Sequence, residues 1–320
     1  MILVTGGAGF LGAWLARTLL EQGKEVATFD IKPASPVVQS FEGSYTHFQG
    51  NIGNMGELLT VVGQLMPSQI YHFGGMLSMP SEQNPQACFS SNVVGMFNVL
   101  ECARAFEVKQ VLYASTNGTF GLDLEGLEVI DDRTLQRPFT MYGCSKVFGE
   151  LLGRYYKRRY GIDFRSIRLP AVVGPGAKNK NVSIYNCWAI EKSYFGEAYD
   201  IFVTPETVCP VIYFKDAVLA FLELAAAPLE QIKTMNYIVV GVDPMPSADA
   251  LAETIKRYLP QAKLGLVPDK LAMDFHQMSQ GVRWDESPAV AEWGWRCSYD
   301  LDRTVNDFIK ELADHPKWYD

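Results

Sequence analysis

Tyr142 and Lys146 are the residues of this chain whose types and spacing best suit proton transfer. They lie four positions apart, so a helix here would place the phenol and the ammonium on one face. A tyrosine, with a pKa near 10, is a base at neutral pH only if its pKa falls by about 3, and nearby positive charges favour that fall. Taken alone, such a pair is more often found on a helix surface without a catalytic role. Thr116, which follows a predicted strand, is expected to hydrogen-bond the substrate oxygen from which Tyr142 would take a proton.

The first residues of the chain predict a strand, a tight glycine-rich turn and a helix. An apolar run (2–4) enters the turn, and an amphipathic stretch leaves it and ends at Gly23. Gly6 would permit the turn, Gly9 would let the backbone approach a pyrophosphate, and Gly12 would let helix and strand pack closely. The phosphates would then lie at the positive end of the helix. The alternative is an ordinary strand–turn–helix unit without a ligand.

Asp30 indicates which dinucleotide this motif would bind. It ends the second predicted strand (25–29), about 18 residues after the last glycine, where an acid accepts the ribose hydroxyls. A carboxylate there would repel the extra phosphate of NADP, although Lys32 lies close by and would soften the repulsion. The sequence therefore favours NAD. A nucleotide motif in the same chain also favours the catalytic interpretation of Tyr142 and Lys146.

Short apolar strands alternate with amphipathic helices through the first half of the chain. Further strands are predicted near 46–48, 69–73 and 110–115, and helices over about 85–106 and 142–160. This alternation predicts an α/β fold with a doubly wound, parallel Rossmann sheet and right-handed crossovers. Ligand chemistry in such sheets gathers at the carboxyl ends of the strands. The residues expected at those ends are Gly6, Asp30, Asn51, Gly74 and Thr116.

The composition argues against several classes of function. Apolar residues make up 48% of the 320 residues and charged residues 20%, as is ordinary for a soluble globular protein. A net charge of −8 argues against nucleic acid or an anionic membrane surface as a partner. No apolar run has the length of a membrane-spanning helix, and no targeting segment is expected before the first strand. The six cysteines and four histidines lack metal-ligand spacing, so we expect reduced thiols, a cytoplasmic protein and no metal.

An ordered set of motifs resembles that of the extended short-chain dehydrogenase/reductase family, the NAD-dependent epimerases and dehydratases. The motifs are the glycine-rich turn (5–12), Asn92-Val93-Val94-Gly95, Thr116 before Phe120-Gly121, Tyr142-x-x-x-Lys146, Arg168-Leu169-Pro170 and Trp293-Gly294-Trp295. The resemblance covers nearly the whole chain. It implies NAD binding, catalysis by Thr116, Tyr142 and Lys146, and a homodimer formed through the helices that begin near Pro85 and Tyr142.

The motifs and the resemblance together predict residues that bind the cofactor and residues that bind the substrate. Cofactor binding is predicted for Gly6, Gly9, Phe10, Leu11, Asp30, Asn51, Ile52, Phe73, Gly74, Gly75, Asn92, Tyr142, Lys146 and Pro170. Substrate binding is predicted for Ser78, Thr116, Asn117, Tyr142, Asn181 and Ser183. Ser78 and the loop 177–186 would hold a carboxylate or an amine, and closure of a lid would exclude water.

Two departures from the family pattern bear on the substrate. Ala171 stands where epimerases typically carry an asparagine that helps to hold a nucleotide sugar, and Cys209 stands where they carry a phosphate-binding arginine. The loss of an amide and a bidentate phosphate donor removes much of the grip on a diphosphate. Stretches such as Val267-Pro268-Asp269 and Glu292-Trp293-Gly294-Trp295 instead resemble the short, NAD-dependent L-threonine 3-dehydrogenases of this family.

The resemblance implies oxidation of the secondary hydroxyl of a small polar 3-hydroxy acid. L-threonine, oxidised to 2-amino-3-oxobutanoate, is the best candidate. A sugar or nucleotide-sugar epimerase or dehydrogenase of the same family is the alternative, because most members of the family act on nucleotide sugars. The paired threonines expected of L-threonine 3-dehydrogenases are not evident within 177–186, which leaves the identity of the acid open. Asn117-Gly118 in place of an acidic pair counts against a dehydratase, and the complete catalytic trio counts against a non-catalytic NAD-binding protein.

The chain is predicted to divide into a nucleotide domain and a smaller lid. Residues 1–173 would form the NAD-binding Rossmann domain, and 208–228, a strand and then a helix, would return to it. Residues 174–207 and 229–320 would form a smaller α/β substrate-binding domain. Apolar positions on the two dimer helices exceed what one sheet face needs, which favours an isologous four-helix interface. These positions are Phe89, Val93, Phe97, Val147, Leu151 and Tyr155.

Overall fold

The computed structural model describes residues 1–41, 43–121, 123–124, 126–178, 181–277 and 280–319. The strands, in chain order, are β1 (Ile2–Thr5), β2 (Val26–Asp30), β3 (Thr46–Gln49), β4 (Gln69–His72), β5 (Gln110–Thr116), β6 (Val129–Ile130), β7 (Asp163–Leu169), β8 (Ala171–Val173), β9 (Ala198–Ile201), β10 (Val211–Tyr213), β11 (Asn236–Ile238), β12 (Lys263–Leu266) and β13 (Arg283–Trp284). The α-helices are α1 (Phe10–Glu21), α2 (Met55–Leu65), α3 (Ser78–Gln83), α4 (Pro85–Cys88), α5 (Gly95–Ala105), α6 (Met141–Tyr160), α7 (Tyr185–Tyr194), α8 (Phe214–Ala226), α9 (Ala248–Tyr258), α10 (Lys270–Gln277), α11 (Ser287–Trp293) and α12 (Leu301–Asp314).

A seven-stranded parallel sheet forms the centre of the molecule. Its strand order is β11-β7-β5-β4-β1-β2-β3, and each neighbouring pair is parallel. The order reverses beside β1, because β2 and β3 extend to one side while β4, β5, β7 and β11 extend to the other. The predicted doubly wound Rossmann sheet is therefore confirmed. A crevice at this reversal is where such sheets bind ligands.

Helices cover both faces of the sheet, which explains why its inner strands are largely buried on both sides. Val4 packs into one buried cluster with α1 and α8, and its neighbour Leu3 packs into a second cluster with α2, α5 and α6. Successive strand residues point to opposite faces, so one short apolar run supplies both layers.

The predicted helix over 85–106 is interrupted near its start. It consists of α4, a π-helical segment (Phe89–Val94) and α5. Asn92 lies within the π-helical segment, and its side chain contacts the loop after β4 and helix α6. Single π-helical turns inside α-helices are frequent at functional sites.

The two predicted domains share the central sheet. Helix α8, predicted to return to the nucleotide domain, packs against α1, β5 and β7. Strand β11 lies in the segment assigned to the smaller domain, yet it pairs with β7 and forms an edge of the central sheet. The difference arises because β11 has three residues and no sequence feature that marks its partner. The division of the chain otherwise stays a prediction.

None of the helices within the described ranges is long and apolar enough to span a membrane. All six cysteines are free thiols. Across the described part of the chain, no cluster of three or more His, Cys, Asp or Glu side chains is placed to hold a metal ion.

Candidate active site

The glycine-rich turn leaves space that larger residues would fill. Gly6 has a φ of +72°, and a β-carbon added there would lie 2.5 Å from the backbone nitrogen of Gly74. A β-carbon on Gly12 would lie 2.1 Å from the carbonyl oxygen of Gly6. Helix α1 begins after Gly9 with no side-chain cap and no acidic residue in its first turn. The positive end of α1, where Phe10 and Leu11 lie, is therefore suited to an anion such as a pyrophosphate.

Asp30 lies beside this turn at the end of β2. One carboxylate oxygen accepts a hydrogen bond from the Ala8 amide at 3.0 Å, and the other accepts one from the Lys32 amide at 3.0 Å. The two bonds hold a negative charge next to the place where a dinucleotide ribose would lie. Binding of the ribose by Asp30 stays a prediction.

The loop after β4 forms the other wall of the turn. The Phe73 amide donates to the Thr5 carbonyl at 3.0 Å, which carries the β1–β4 pairing into the loop. Ile52 packs against Gly74, where an added β-carbon would lie 3.0 Å from its Cδ1. The Asn51 side-chain oxygen accepts from the Gly53 amide at 2.8 Å and shapes its own turn. Gly6, Ile52, Phe73 and Gly74 thus lie close together near the carboxyl ends of β1 and β4.

Asn92 joins this loop to helix α6. Its side-chain oxygen accepts from the Met76 amide at 2.7 Å, and its nitrogen donates to the Met76 carbonyl at 3.0 Å and to the Ser145 hydroxyl at 3.1 Å. Gly75 passes close to it, with a φ of +148°. Contact of Asn92 with the cofactor stays a prediction, because its amide already holds the loop in place. Sequence reasoning missed Ser145, whose partner lies 53 residues away.

Thr116 and Tyr142 are brought together by two glycines. Tyr142 lies in the first turn of α6, and its phenol shares a hydrogen bond with the Thr116 hydroxyl at the end of β5. A β-carbon on Gly143 would lie 2.4 Å from the carbonyl oxygen of Gly118, so the helix can approach this closely only because residue 143 is glycine. The approach places the phenol at the carboxyl edge of the sheet.

Lys146 lies one turn further along α6. Its ammonium donates to the Ala114 carbonyl at 2.7 Å and lies 5.5 Å from the centre of the Tyr142 ring. Burial lowers the pKa of Lys146 to about 8. Burial also raises the pKa of Tyr142 to about 12, although the Thr116 hydrogen bond opposes this. Within the protein alone, the pKa of Tyr142 is therefore raised, whereas catalysis by a phenolate requires that it fall. The pKa rises because desolvation of the phenolate outweighs the Thr116 hydrogen bond.

The start of α6 is fixed by a cap and a carboxylate. The Thr140 hydroxyl accepts from the Gly143 amide at 3.0 Å, and Glu82 of α3 accepts from the Met141 amide at 2.7 Å. Ser78 opens the short helix α3 and is half-buried. The contact with Glu82, 59 residues away, has no signature in the sequence.

A buried ion pair holds α6 against the sheet. Arg168 of β7 donates to Glu150 of α6 at 2.7 Å, and both side chains are nearly inaccessible to solvent. Glu150 also accepts from Ser115 at 2.5 Å and from Gln136 at 2.9 Å. The carboxylate and three donors compensate one another, as buried charges require. Pro170, predicted to contact the cofactor, directly follows β7 and is buried.

The remaining predicted substrate residues lie on two parts of the chain. Asn117 follows Thr116, and both polar atoms of its side chain are buried without a hydrogen-bond partner in the described structure. The Asn181 side-chain oxygen accepts from the Ser183 amide at 2.9 Å, and the Ser183 hydroxyl bonds the thiol of Cys209. Ser183 thus contacts the segment before β10, and binding of a substrate by Asn181 and Ser183 stays a prediction.

A parallel sheet with a glycine cradle at its reversal and an acid at the end of β2 defines a Rossmann protein that binds a dinucleotide. Residues 2–241 match the model of the NAD dependent epimerase/dehydratase family, and the chain belongs to this family. It is therefore an NAD-dependent enzyme.

Proteins similar to this chain include L-threonine dehydrogenases and a UDP-glucose 4-epimerase. The chain is 30% identical to the mitochondrial L-threonine 3-dehydrogenase of Bos taurus, over 96% of this chain and 81% of that protein. A GalE-like L-threonine dehydrogenase from Cupriavidus necator superposes with a TM-score of 0.87 at 29% identity, covering 97% of this chain and 99% of the other. A UDP-glucose 4-epimerase from Thermotoga maritima superposes with a TM-score of 0.84 at 21% identity, covering 99% of each chain, which shows a common fold.

Proposed function

We propose that this protein oxidises the secondary hydroxyl of a small polar 3-hydroxy acid, with L-threonine converted to 2-amino-3-oxobutanoate. The observation that carries the proposal is the hydrogen bond between Thr116 and Tyr142, with the Lys146 ammonium 5.5 Å from the phenol ring. The names of the Bos taurus and Cupriavidus necator relatives support L-threonine as the substrate.

The chain offers a place for the cofactor. When bound, NAD supplies a hydride acceptor and a positively charged nicotinamide ring. The first turn of α1 and the glycine cradle would hold its phosphates, and Asp30 would accept hydrogen bonds from its ribose. The residues proposed to hold NAD are the cofactor-binding residues predicted from the sequence, of which Gly6 is the first and Pro170 the last.

The protein's own chemistry is the handling of one proton. Thr116 would orient the substrate hydroxyl and stabilise its oxygen as a carbonyl forms. Tyr142, ionised, would take the hydroxyl proton onto its phenolate oxygen. Because burial raises the pKa of Tyr142, ionisation depends on positive charge at the site, and Lys146 contributes such a charge. Ser78, Asn117, Asn181 and Ser183 are proposed to hold the carboxylate and the amine.

Replacement of the phenol tests this mechanism. Tyr142→Phe should leave NAD affinity within a few-fold and lower turnover by at least about 10²-fold, the usual contribution of a positioned acid–base group. Lys146→Met should lower both the NAD affinity and the turnover. Tyr160→Phe, at the exposed end of the same helix, is the matched control. Near-normal oxidation by Tyr142→Phe of every substrate that the parent accepts would contradict the assignment.

A substrate panel, followed by NADH absorbance and by product analysis, separates this proposal from its alternative. The alternative is a sugar or nucleotide-sugar epimerase or dehydrogenase, and UDP-glucose and UDP-galactose belong in the panel for that reason. Cys209 is only 2% exposed and bonds Ser183, so this position offers no cation to a diphosphate. Activity on UDP-sugars without activity on L-threonine would select the alternative.

We further propose a cytoplasmic homodimer with a nucleotide domain and a smaller substrate lid, divided as predicted except that β11 belongs to the central sheet. The free thiols support a reducing compartment. Large apolar side chains on α6 and on the segment 89–97 are exposed, which supports an isologous helix interface. They are Phe89, Phe97, Phe148, Leu151 and Tyr155.

A further inference from the structure

A row of buried side chains runs across three strands beneath the proposed site. Thr5 of β1 is the register partner of His72 in β4, and His72 is the register partner of Tyr113 in β5. Register partners on neighbouring strands project to the same face, so these three side chains lie side by side. Lys146 of α6 meets the end of this row, because its ammonium lies 4.7 Å from the centre of the Tyr113 ring.

Each member of the row is held by the next. The Thr5 hydroxyl is hydrogen-bonded to His72 Nδ1 at 2.7 Å, and the His72 ring stacks on the Tyr113 ring with centres 5.6 Å apart and planes 17° apart. A β-carbon on Gly149, in the turn of α6 after Lys146, would lie 2.5 Å from the Tyr113 phenol oxygen. The ring is therefore pressed between the sheet and the helix, with little freedom to turn.

We propose that Tyr113 is a positioning residue for Lys146: its ring face holds the ammonium by a cation–π contact and keeps it charged, while His72 and Thr5 hold the ring. The role of Lys146 rests on the proposed function. The contact matters because the ammonium is buried and its pKa is lowered to about 8, so a modest loss of stabilisation would discharge it near neutral pH.

Other groups around Lys146 complete its electrostatic surroundings. Glu150, one turn further along α6, favours the ammonium, although Arg168 already pairs with this carboxylate. The thiol of Cys88 in α4 favours the charged form only where the thiol is itself ionised. His72 is neutral in the folded protein and adds no competing charge. The Tyr113 ring is the aromatic face nearest the ammonium, at 4.7 Å against 5.5 Å for Tyr142.

The test measures the pKa of Lys146 directly, by NMR titration of the full chain labelled with ε-¹³C lysine, alongside the pH dependence of kcat/KM. Tyr113→Leu should lower the pKa of Lys146 by about 1, a tenfold change or ~1.4 kcal/mol, within the range of a desolvated cation–π contact. The alkaline limb of kcat/KM should move to lower pH by the same amount. Tyr113→Phe keeps the ring and should restore the parent pKa. Phe164→Leu also removes one aromatic ring, beside Tyr113 in the same buried cluster, and should leave the pKa of Lys146 unchanged.

An unchanged or raised pKa of Lys146 in folded Tyr113→Leu would overturn the proposal, as would a lowered pKa in Phe164→Leu. If Tyr113→Leu does not fold, Tyr113→pentafluorophenylalanine weakens the ring face at almost constant size, and the same fall relative to Tyr113→Phe is required. The titration needs no substrate. A failure of the proposed function in the Tyr142→Phe assay is therefore distinguishable from a failure of this inference.

Discussion

Acid should destabilise this protein through His72. The side chain is 1% exposed, bonds Thr5 and lies close to the Lys146 ammonium. Burial, aided by the charge of Lys146, lowers the pKa of His72 to about 3 in the folded chain, against about 6.5 in the unfolded chain. The folded state therefore holds the neutral imidazole. As the pH falls below about 6.5, His72 becomes protonated in the unfolded chain but stays neutral in the folded chain. The free energy of unfolding therefore decreases until the pH reaches about 3, where the folded chain is protonated as well.

The size of the effect follows from the two pKa values. A difference of about 3.5 corresponds to about 5 kcal/mol once both states are protonated. Near pH 5 the unfolded histidine is almost fully protonated and the folded one is not, so about 2 kcal/mol is already lost relative to pH 7.5. Such a loss is a large fraction of the stability of an ordinary domain.

Urea unfolding of the parent and of His72→Asn near pH 7.5 and near pH 5 measures this effect. His72→Asn keeps a polar group beside Thr5 but does not titrate, so its loss of unfolding free energy between the two pH values should be about 2 kcal/mol smaller than that of the parent. His276→Gln is the comparison, because burial also lowers the pKa of His276 but the Val182 carbonyl opposes the shift. We expect His276→Gln to reduce the acid-induced loss of unfolding free energy by less than His72→Asn does. Equal acid sensitivity of the parent and His72→Asn would refute the reasoning.

Two further predictions concern the catalytic helix. Gly143→Ala places a β-carbon 2.4 Å from the Gly118 carbonyl oxygen and should push the first turn of α6 from Thr116, so kcat should fall by about 10²-fold with NAD affinity little changed. Cys144→Ala, an exposed neighbour, is the control, and a near-normal kcat for Gly143→Ala would contradict the positioning argument. Leu151→Glu places a charge on an apolar side chain of α6 that is 58% exposed and should convert the proposed dimer to a monomer in light scattering. A parent that is itself monomeric at micromolar concentration would show the interface assignment to be wrong.

The Rossmann fold could be predicted because its signals are local. The apolar run of β1, the glycines of the turn and the amphipathic α1 lie within about 20 residues, and their order alone specifies strand, turn and helix. Helix α9 likewise begins at a local signal, because the Ser247 hydroxyl caps it by accepting from the Ala250 amide at 3.1 Å. The family and the NAD cofactor, predicted from motifs of this kind, are confirmed.

The surroundings of the proposed site were decided by tertiary structure. The bonds of Asn92 to Ser145 and of Glu82 to Met141 join residues more than 50 positions apart. The row from Thr5 to Tyr113 exists only because three strands pair in one register. Burial likewise determined the direction of the Tyr142 pKa shift. Residue types and spacing specify which groups a chain possesses, whereas strand register and helix packing determine which groups meet and how much water surrounds them.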